Sequence, residues 1–235
     1  MSPRPHKGER SINLREAIKE TAWQHIARYG APALSLRSIA RALGITAPAI
    51  YNYYPDRDAL VTALIIDAFT SLGDAQIAAC DAFPPHDLIG RLYAIGRAYR
   101  QWALAHPQRY QLIFGAPIPG YVAPMDQVFP ASARAFGALV SVVEAARRAG
   151  TLQTDSFPPL IPGYEALLEE WKLFGGDADI LSLSVAVLIW ARVHGLVSLQ
   201  ITGNLPPFGA DIEALYEYEI ASIERQFFRR DDHSG

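Results

Sequence analysis

The chain has 235 residues, of which 50% are hydrophobic and 19% are charged. It is long enough to bury a sizeable core, and its composition favours a folded, soluble protein. Cys80 is the single cysteine, which excludes an intrachain disulfide and indicates a reducing compartment. The net charge of −3 divides unevenly, with +5 in residues 1–50 and −8 in residues 51–235. This basic excess predicts a polyanion-binding surface near the N-terminus, although a solvated helix face would give the same excess.

The first segment predicts a basic arm followed by a helix. Residues 1–11 are polar, basic and proline-bearing, which is typical of a disordered arm and not of a signal peptide. Asn13 and Glu16 form a possible capping box for a helix that runs to Tyr29. The predicted apolar face of this helix contains Ile18, Ala22 and Ile26.

Residues 35–54 predict two short helices joined by a tight turn, which together form a helix-turn-helix motif. Ser35 can cap the first helix, Gly44 supplies the positive φ that a helix end commonly needs, and Thr46 can cap the second helix. The apolar face of the first helix contains Leu36, Ile39, Ala40 and Leu43.

The second helix of the motif has an inward and an outward face. Ile50 and Tyr54 are spaced to face inward. The outward set has small residues near the helix N-terminus, and its hydroxyl and amide groups can bond phosphates or base edges in a DNA major groove. It comprises Ala47, Pro48, Tyr51, Asn52 and Tyr53. A structural helical hairpin is the alternative for these twenty residues.

The rest of the chain predicts an all-α fold. Pro55 and Asp56 suit the start of a long helix that runs to about residue 82. Later segments have helical periodicity, and none has sustained alternation of polar and apolar residues. They lie at about 86–105, 107–114, 131–149, 163–174, 180–202 and 210–229. The intervening loop 115–130 is long enough to be mobile or to form a lid.

Residues 12–60 resemble the N-terminal domain of the tetracycline-repressor (TetR) family. The matching residues include Gly30, the motif residues from Ser35 to Thr46, the run from Ile50 to Tyr54, Arg57 and Leu60. The resemblance implies a DNA-contacting set of Ser35, Arg37, Thr46, Ala47, Pro48, Tyr51, Asn52, Tyr53 and Arg57. Within this set, Thr46, Tyr51, Tyr53 and Arg57 would touch the DNA backbone. Pro55 is a departure, because the family often has a phosphate-binding lysine there.

Two further sequences are similar to a C-terminal domain type of the same family. One runs from Tyr99 through His106 and Pro107 to Phe114, and the other runs from Trp190 through His194 and Gly195 to Leu199. The resemblance implies a helix-turn-helix domain at 12–57 and a helical effector-binding and dimerisation domain at 58–235. Helices 180–202 and 210–229 would pair in a two-fold homodimer.

The segment from Ile180 to Ile201 is apolar enough to suggest a membrane span. Arg192 and His194 interrupt it midway, and a span rarely carries an arginine at its centre. A buried interface helix is therefore expected instead of a membrane helix.

Catalytic motifs are absent from the sequence, so no enzyme activity and no cofactor are expected. The six histidines form no metal-binding motif with the cysteine or with each other. His106 and His194 with Glu169 or Glu170 remain an alternative metal site, because distance along the chain does not forbid it. The expected role of these histidines is structural, and no metal is predicted.

Aromatic side chains of the C-terminal part predict an apolar effector cavity. Rings packed simply as core are the alternative for each of them. Arg192 or His194 would be among the few polar groups that orient the ligand. The hypothesis is an apolar or aromatic small molecule, with or without an acid group. The full candidate set is Tyr99, Trp102, His106, Tyr110, Phe114, Tyr164, Trp171, Trp190, Arg192 and His194.

The sequence therefore predicts a cytoplasmic, homodimeric DNA-binding regulator. It would be a repressor that a small molecule releases from a palindromic operator. The alternative is a helical small-molecule- or metal-binding protein whose N-terminal head contacts another protein instead of DNA. Salt-dependent binding to duplex DNA would separate the two.

Overall fold

The computed structural model describes residues 7–155, 157–205 and 212–229. Within these ranges the chain forms ten α-helices, a short 3₁₀ turn at Ala31–Ala33, and no strand apart from an isolated bridge between Leu152 and Phe228. The all-α prediction is confirmed. The helices are α1 (Lys7–Tyr29), α2 (Leu36–Ala42), α3 (Ala47–Tyr51), α4 (Arg57–Asp81), α5 (Leu88–Ala105), α6 (Pro107–Phe114), α7 (Met125–Arg148), α8 (Pro162–Gly175), α9 (Ile180–Ile201) and α10 (Ile212–Phe227).

The chain divides into two compact units. The first, here called the head unit, comprises Met1–Ala68 and His106–Val128, and the second, the body unit, comprises Phe69–Ala105 and Phe129–Gly235. The division falls inside α4, so this one helix contributes to both units. The head unit also contains α6, which lies within the 58–235 segment that the sequence predicts as the effector domain.

The core of the head unit follows the predicted apolar faces. In α1, Ile18 and Ala22 are fully buried and Ile26 is 6% exposed. They pack with α2, whose inward residues Leu36, Ile39 and Ala40 are also buried. Because these residues recur at three- and four-residue spacing, one stripe of each helix is removed from water. The buried start of α4 completes this core with Leu60, Val61 and Leu64.

The core of the body unit is formed around α9. Its buried residues occur on several sides of the helix, and α5, α8 and α10 all pack against it. A helix that is apolar on nearly every side needs such neighbours, which explains the hydrophobicity of the 180–201 segment. Asp179 begins the helix, since its carboxylate accepts the backbone N–H of Leu181 at 2.9 Å.

Two helix starts differ from the sequence prediction. α1 begins at Lys7, before the capping box predicted at Asn13, so residues 7–11 of the predicted arm are helical and residues 1–6 lie outside the described residues. α7 begins at Met125 and includes Pro130. A proline in the second turn removes only one backbone hydrogen bond, and the Pro124 carbonyl starts the helix by accepting from Gln127 and Val128. The predicted 115–130 loop is therefore only 115–124.

Candidate nucleic-acid interface and ligand cavity

The turn between α2 and α3 has the geometry that the sequence predicts. Gly44 has a φ of +65°, which a side chain would strain. Its N–H donates to the Arg41 carbonyl at 3.2 Å, and the N–H of Ile45 donates to the Ala40 carbonyl at 3.0 Å. This pair of bonds is the Schellman arrangement, which satisfies the last carbonyls of α2 and turns the chain sharply into α3.

The two predicted side-chain caps of this motif are wrong. Ser35 and Thr46 occupy the N-cap positions of α2 and α3 with extended backbone, but neither hydroxyl makes the capping bond. Their carbonyls begin the helices instead, with Ser35 accepting from Ile39 and Thr46 from Ala49. The Thr46 hydroxyl makes no hydrogen bond to the described residues and lies on an exposed residue.

The predicted inward residues Ile50, on α3, and Tyr54, after its end at Tyr51, are both buried. Ile50 is fully buried and Tyr54 is 3% exposed. Arg37 and four other predicted DNA-contacting residues are exposed, while the remaining four are partly buried. The exposed four are Thr46, Pro48, Tyr51 and Asn52; the partly buried ones are Ser35, Ala47, Tyr53 and Arg57.

Arg57 is engaged inside the head unit. Its Nη2 donates to the carbonyls of Pro32 at 3.3 Å and Ala31 at 3.5 Å, and its Nη1 lies 3.7 Å from the Asp58 carboxylate. The buried Nε has no partner among the described residues. Asp56 caps α4 by accepting the N–H of Ala59 at 2.7 Å. Arg57 therefore ties the start of α4 to the connection between α1 and α2.

Two arginines of the head unit pack on aromatic rings. The Arg15 guanidinium lies 5.4 Å from the Tyr54 ring centroid, and Arg109 of α6 lies 5.0 Å from the Trp23 ring of α1. Burial raises the pKa of the Tyr54 hydroxyl, which has no hydrogen-bond partner among the described residues. These contacts give α1 a fixed neighbour on α6 that sequence reasoning did not identify.

Three aromatic residues of the predicted ligand set make contacts within the body unit. The Trp102 indole donates to Ser71 Oγ at 2.9 Å, and the Tyr164 hydroxyl lies 3.1 Å from Ser184 Oγ. Trp171 stands edge-on to Phe129 and Phe136, at centroid distances of 5.4 and 5.0 Å. Of these three residues only Trp102 is buried, at 5% exposure, and Tyr164 and Trp171 are partly exposed.

Tyr99, Trp190 and His194 form one contiguous group. The Tyr99 hydroxyl lies 2.8 Å from Nδ1 of His194, and the Trp190 ring stacks on the His194 ring at 4.7 Å. Burial lowers the pKa of His194 and so favours the neutral imidazole. Tyr99 and Trp190 also line a cavity of about 30 Å³ in the body unit. Its other lining residues are Gln76, Leu92, Ile95, Gly96, Leu139, Ile189, Val193, Ile220 and Ile223.

Arg192 does not line this cavity. Its Nε forms an ion pair with Glu219, Nη1 donates to Gln226 at 2.6 Å, and Nη2 donates to Ser222 at 3.1 Å. All three partners lie on α10, so Arg192 joins α9 to α10 instead of facing the cavity. Sequence spacing did not reveal this, because it does not fix which side of α9 faces α10.

The remaining three predicted ligand residues belong to the head unit. They are His106, Tyr110 and Phe114, and the last two rings pack at 5.2 Å. Burial and the neighbouring Arg109 lower the pKa of His106. The ten predicted residues are thus not gathered in one unit, and sequence reasoning missed Gln76, whose polar side chain on the inner face of a long helix was the available signal.

Metal binding gains no support in the described ranges, where no group of three His, Cys, Asp or Glu side chains could hold an ion. The carboxylate of Glu169, one of the proposed ligands, lies 3.6 Å from Lys172.

Three helices are long and apolar enough to cross a membrane by length and composition, namely α4, α7 and α9. Packing within the chain accounts for much of this apolarity, since 50%, 50% and 44% of their apolar windows are buried.

Comparison with known proteins agrees with this geometry. Residues 18–64 match the model of bacterial regulatory proteins of the tetR family, and residues 92–223 match that of the tetracyclin repressor-like C-terminal domain. The HTH-type transcriptional regulator Rv1816 of Mycobacterium tuberculosis is 35% identical over 198 residues, which cover 83% of this chain and 82% of that protein.

Solved structures show the same fold. The regulatory protein SCO4313 superposes with a TM-score of 0.73 at 35% identity, covering 94% of this chain and 98% of that chain. The TetR family transcriptional regulator PfmR from Thermus thermophilus, at 15% identity and a TM-score of 0.56, shares the fold over 88% of this chain and 97% of its own.

A helix-turn-helix head followed by a helical body defines a DNA-binding transcription regulator. The chain belongs to the TetR family of transcriptional regulators.

Proposed function

We propose that the protein is a ligand-responsive, cytoplasmic repressor that binds a palindromic operator as a homodimer. The observation that carries the DNA contact is the exposed polar face of α3, where Thr46, Tyr51 and Asn52 follow a sharp Schellman turn. A helix presented in this way can enter a major groove, with Asn52 at base edges and the hydroxyl groups at phosphates.

Homodimer formation is supported by apolar residues left exposed on α9 and α10. Leu188 and Leu199 of α9 are 41% and 40% exposed, and Tyr218 of α10 is 74% exposed. A symmetric pairing of these two helices would bury them and would carry two heads to half-sites in successive major grooves.

Ligand response requires a molecule whose affinity differs between the DNA-bound and the released conformation. The cavity of the body unit is the proposed site, and α4 is the proposed lever because it contributes to both units. The ligand is an apolar or aromatic small molecule.

The test of the DNA-binding role is selection from a random duplex library, followed by affinity measurements at several salt concentrations. Wild type should select a near-palindrome, and its affinity should fall with salt as phosphate counterions are released. Asn52→Ala should relax preference at one base position of each half-site, at a cost of about 1–3 kcal/mol. Gln24→Ala is the matched control, because Gln24 is an exposed amide of α1 that bonds only Glu20.

If Gln24→Ala loses base preference, or if Asn52→Ala keeps the full base preference of wild type, α3 is not the recognition helix. Absence of salt-dependent duplex binding by the folded wild type would favour the alternative in which the head contacts a protein.

A further inference from the structure

Gln76 is a largely buried polar side chain on the wall of the cavity. It is 6% exposed, lies on α4 and lines the cavity of the body unit. No described residue forms a hydrogen bond with its amide, and the amide is not fully enclosed by protein atoms. A polar group in a mostly apolar wall can donate and accept hydrogen bonds with a molecule that enters the cavity.

The rest of the cavity wall is apolar and uncharged. Among its lining residues there is no Asp, Glu, Lys or Arg. The Tyr99 hydroxyl is already held by His194, and the guanidinium of Arg192 is bound to α10. An ionised ligand would therefore lose its hydration without meeting an opposite charge, whereas a neutral hydrogen-bonding group would find the Gln76 amide.

The volume of the cavity also has a consequence. About 30 Å³ holds no more than one or two water molecules, far below the roughly 300 Å³ of a small drug-sized pocket. A ligand must therefore displace water from Gln76 and push the surrounding side chains apart. The wall beside Gly96 is already tight, since a Cβ there would lie 3.0 Å from Ile220 Cδ1.

We propose that Gln76 is the hydrogen-bonding anchor of the effector, and that the effector is an uncharged, apolar molecule with one hydroxyl, carbonyl or amide group. This inference rests on the proposed ligand response and excludes a carboxylate held by Arg192. Because Gln76 lies on α4, a ligand bonded to it and wedged against α5, α9 and α10 acts directly on the helix that continues into the head unit.

The test uses three aromatic probes of similar size, benzyl alcohol, benzoate and toluene, titrated into the full-length protein at neutral pH by calorimetry. Benzyl alcohol should bind wild type at least about tenfold more tightly than benzoate, because only the anion must be buried as a charge. In Gln76→Leu the affinity for benzyl alcohol should fall about tenfold relative to that for toluene. Gln101→Leu, at an exposed glutamine of α5, should leave all three affinities unchanged.

Thermal unfolding of the variants provides a second measurement. Gln76→Leu should unfold at the same or a higher temperature than wild type, because it removes no hydrogen bond to a described residue and adds apolar surface to the cavity wall. A clear loss of thermal stability would show that the amide has a structural partner and would overturn the inference. Equal binding of benzyl alcohol to wild type and Gln76→Leu, tighter binding of benzoate than of benzyl alcohol, or no binding of any probe to the folded protein would also overturn it.

A separate measurement of duplex affinity, with and without the probe, distinguishes failure of the proposed function from failure of the Gln76 anchor. If benzyl alcohol binds through Gln76 but leaves duplex affinity unchanged, the anchor stands and the ligand-responsive role fails. If no probe binds while the wild type still binds its selected duplex, the anchor fails and the DNA-binding role stands.

Discussion

Arg57 forms hydrogen bonds within the head unit in addition to its expected contact with DNA. The resemblance to the family implies a phosphate contact, yet two carbonyls of the α1–α2 connection accept its Nη2. Because a guanidinium carries five N–H donors, these bonds leave others available to a phosphate. Arg57 is therefore expected both to stabilise the head and to bind DNA.

Arg57→Ala should weaken binding to all duplexes about equally and should lower the slope of log affinity against log salt by about 1, since phosphate contacts carry no sequence information. The melting temperature should also fall, reflecting a loss of about 1 kcal/mol in the free energy of unfolding. Arg28→Ala is the control, because Arg28 is an exposed arginine of the same unit that lies over Tyr29. A lower melting temperature with an unchanged salt slope would reduce Arg57 to a structural brace.

Glu144 shows how a single carboxylate connects elements. It lies on α7, is 8% exposed, and accepts hydrogen bonds from Arg147, Arg148 and Ser182 at 2.7–3.0 Å. The backbone N–H of Asp179 adds a longer bond of 3.4 Å. The end of α7 is thereby joined to the start of α9. Arg147 above all, together with Ser182 and Arg148, holds the pKa of the Glu144 carboxyl far below its usual range.

Glu144→Gln should lower the free energy of unfolding at pH 7 by about 2 kcal/mol, because it weakens charge-assisted bonds at a buried site. A depressed pKa in the folded state gives stability that is present above the unfolded pKa of roughly 4.3 and is lost as pH falls below it. The difference between wild type and variant, measured by urea unfolding, should therefore shrink below about pH 4. Glu170→Gln, at an exposed site on α8, should match wild type throughout. A difference that persists unchanged at pH 3 would contradict the role of the charge.

At the scale of the whole molecule, operator binding is expected to depend on the formation of a homodimer. One head makes few contacts, so tight binding requires two heads held by a symmetric interface. The exposed apolar residues of α9 and α10 mark the surface on which this interface is expected.

Leu199→Asp should give monomers at micromolar concentration by light scattering, because it would place a charge inside the apolar interface. Palindromic operator binding should be lost together with the dimer. Val122→Asp, at an 88% exposed residue of the head unit, is the control and should remain dimeric. If both variants remain dimeric, the dimer interface does not include Leu199 and must be sought on other helices.

The sequence by itself determined the helices, the turn at Gly44 and the faces of α3. These features depend on local periodicity and on the positive φ that glycine tolerates, and both are visible in neighbouring residues. Helix starts were predicted less well, because residues 7–11 have the polar, basic composition of an arm and because the sequence prediction places the helix boundary at Pro130, which lies inside α7, in place of Pro124. The predicted bonds of Ser35 and Thr46 failed for a related reason, since a capping residue type does not fix the rotamer that makes the bond.

Only the tertiary structure decided which polar groups share an environment. Arg192 and His194 are two residues apart on α9, yet one binds α10 and the other binds Tyr99 of α5, because successive helical positions point in different directions. Gln76 is a polar residue on the inner face of a long helix, but only the packing of α5, α7, α9 and α10 places it on the wall of a cavity. Hydrogen-bond partners distant along the chain are set by packing, and packing is a property of the whole fold.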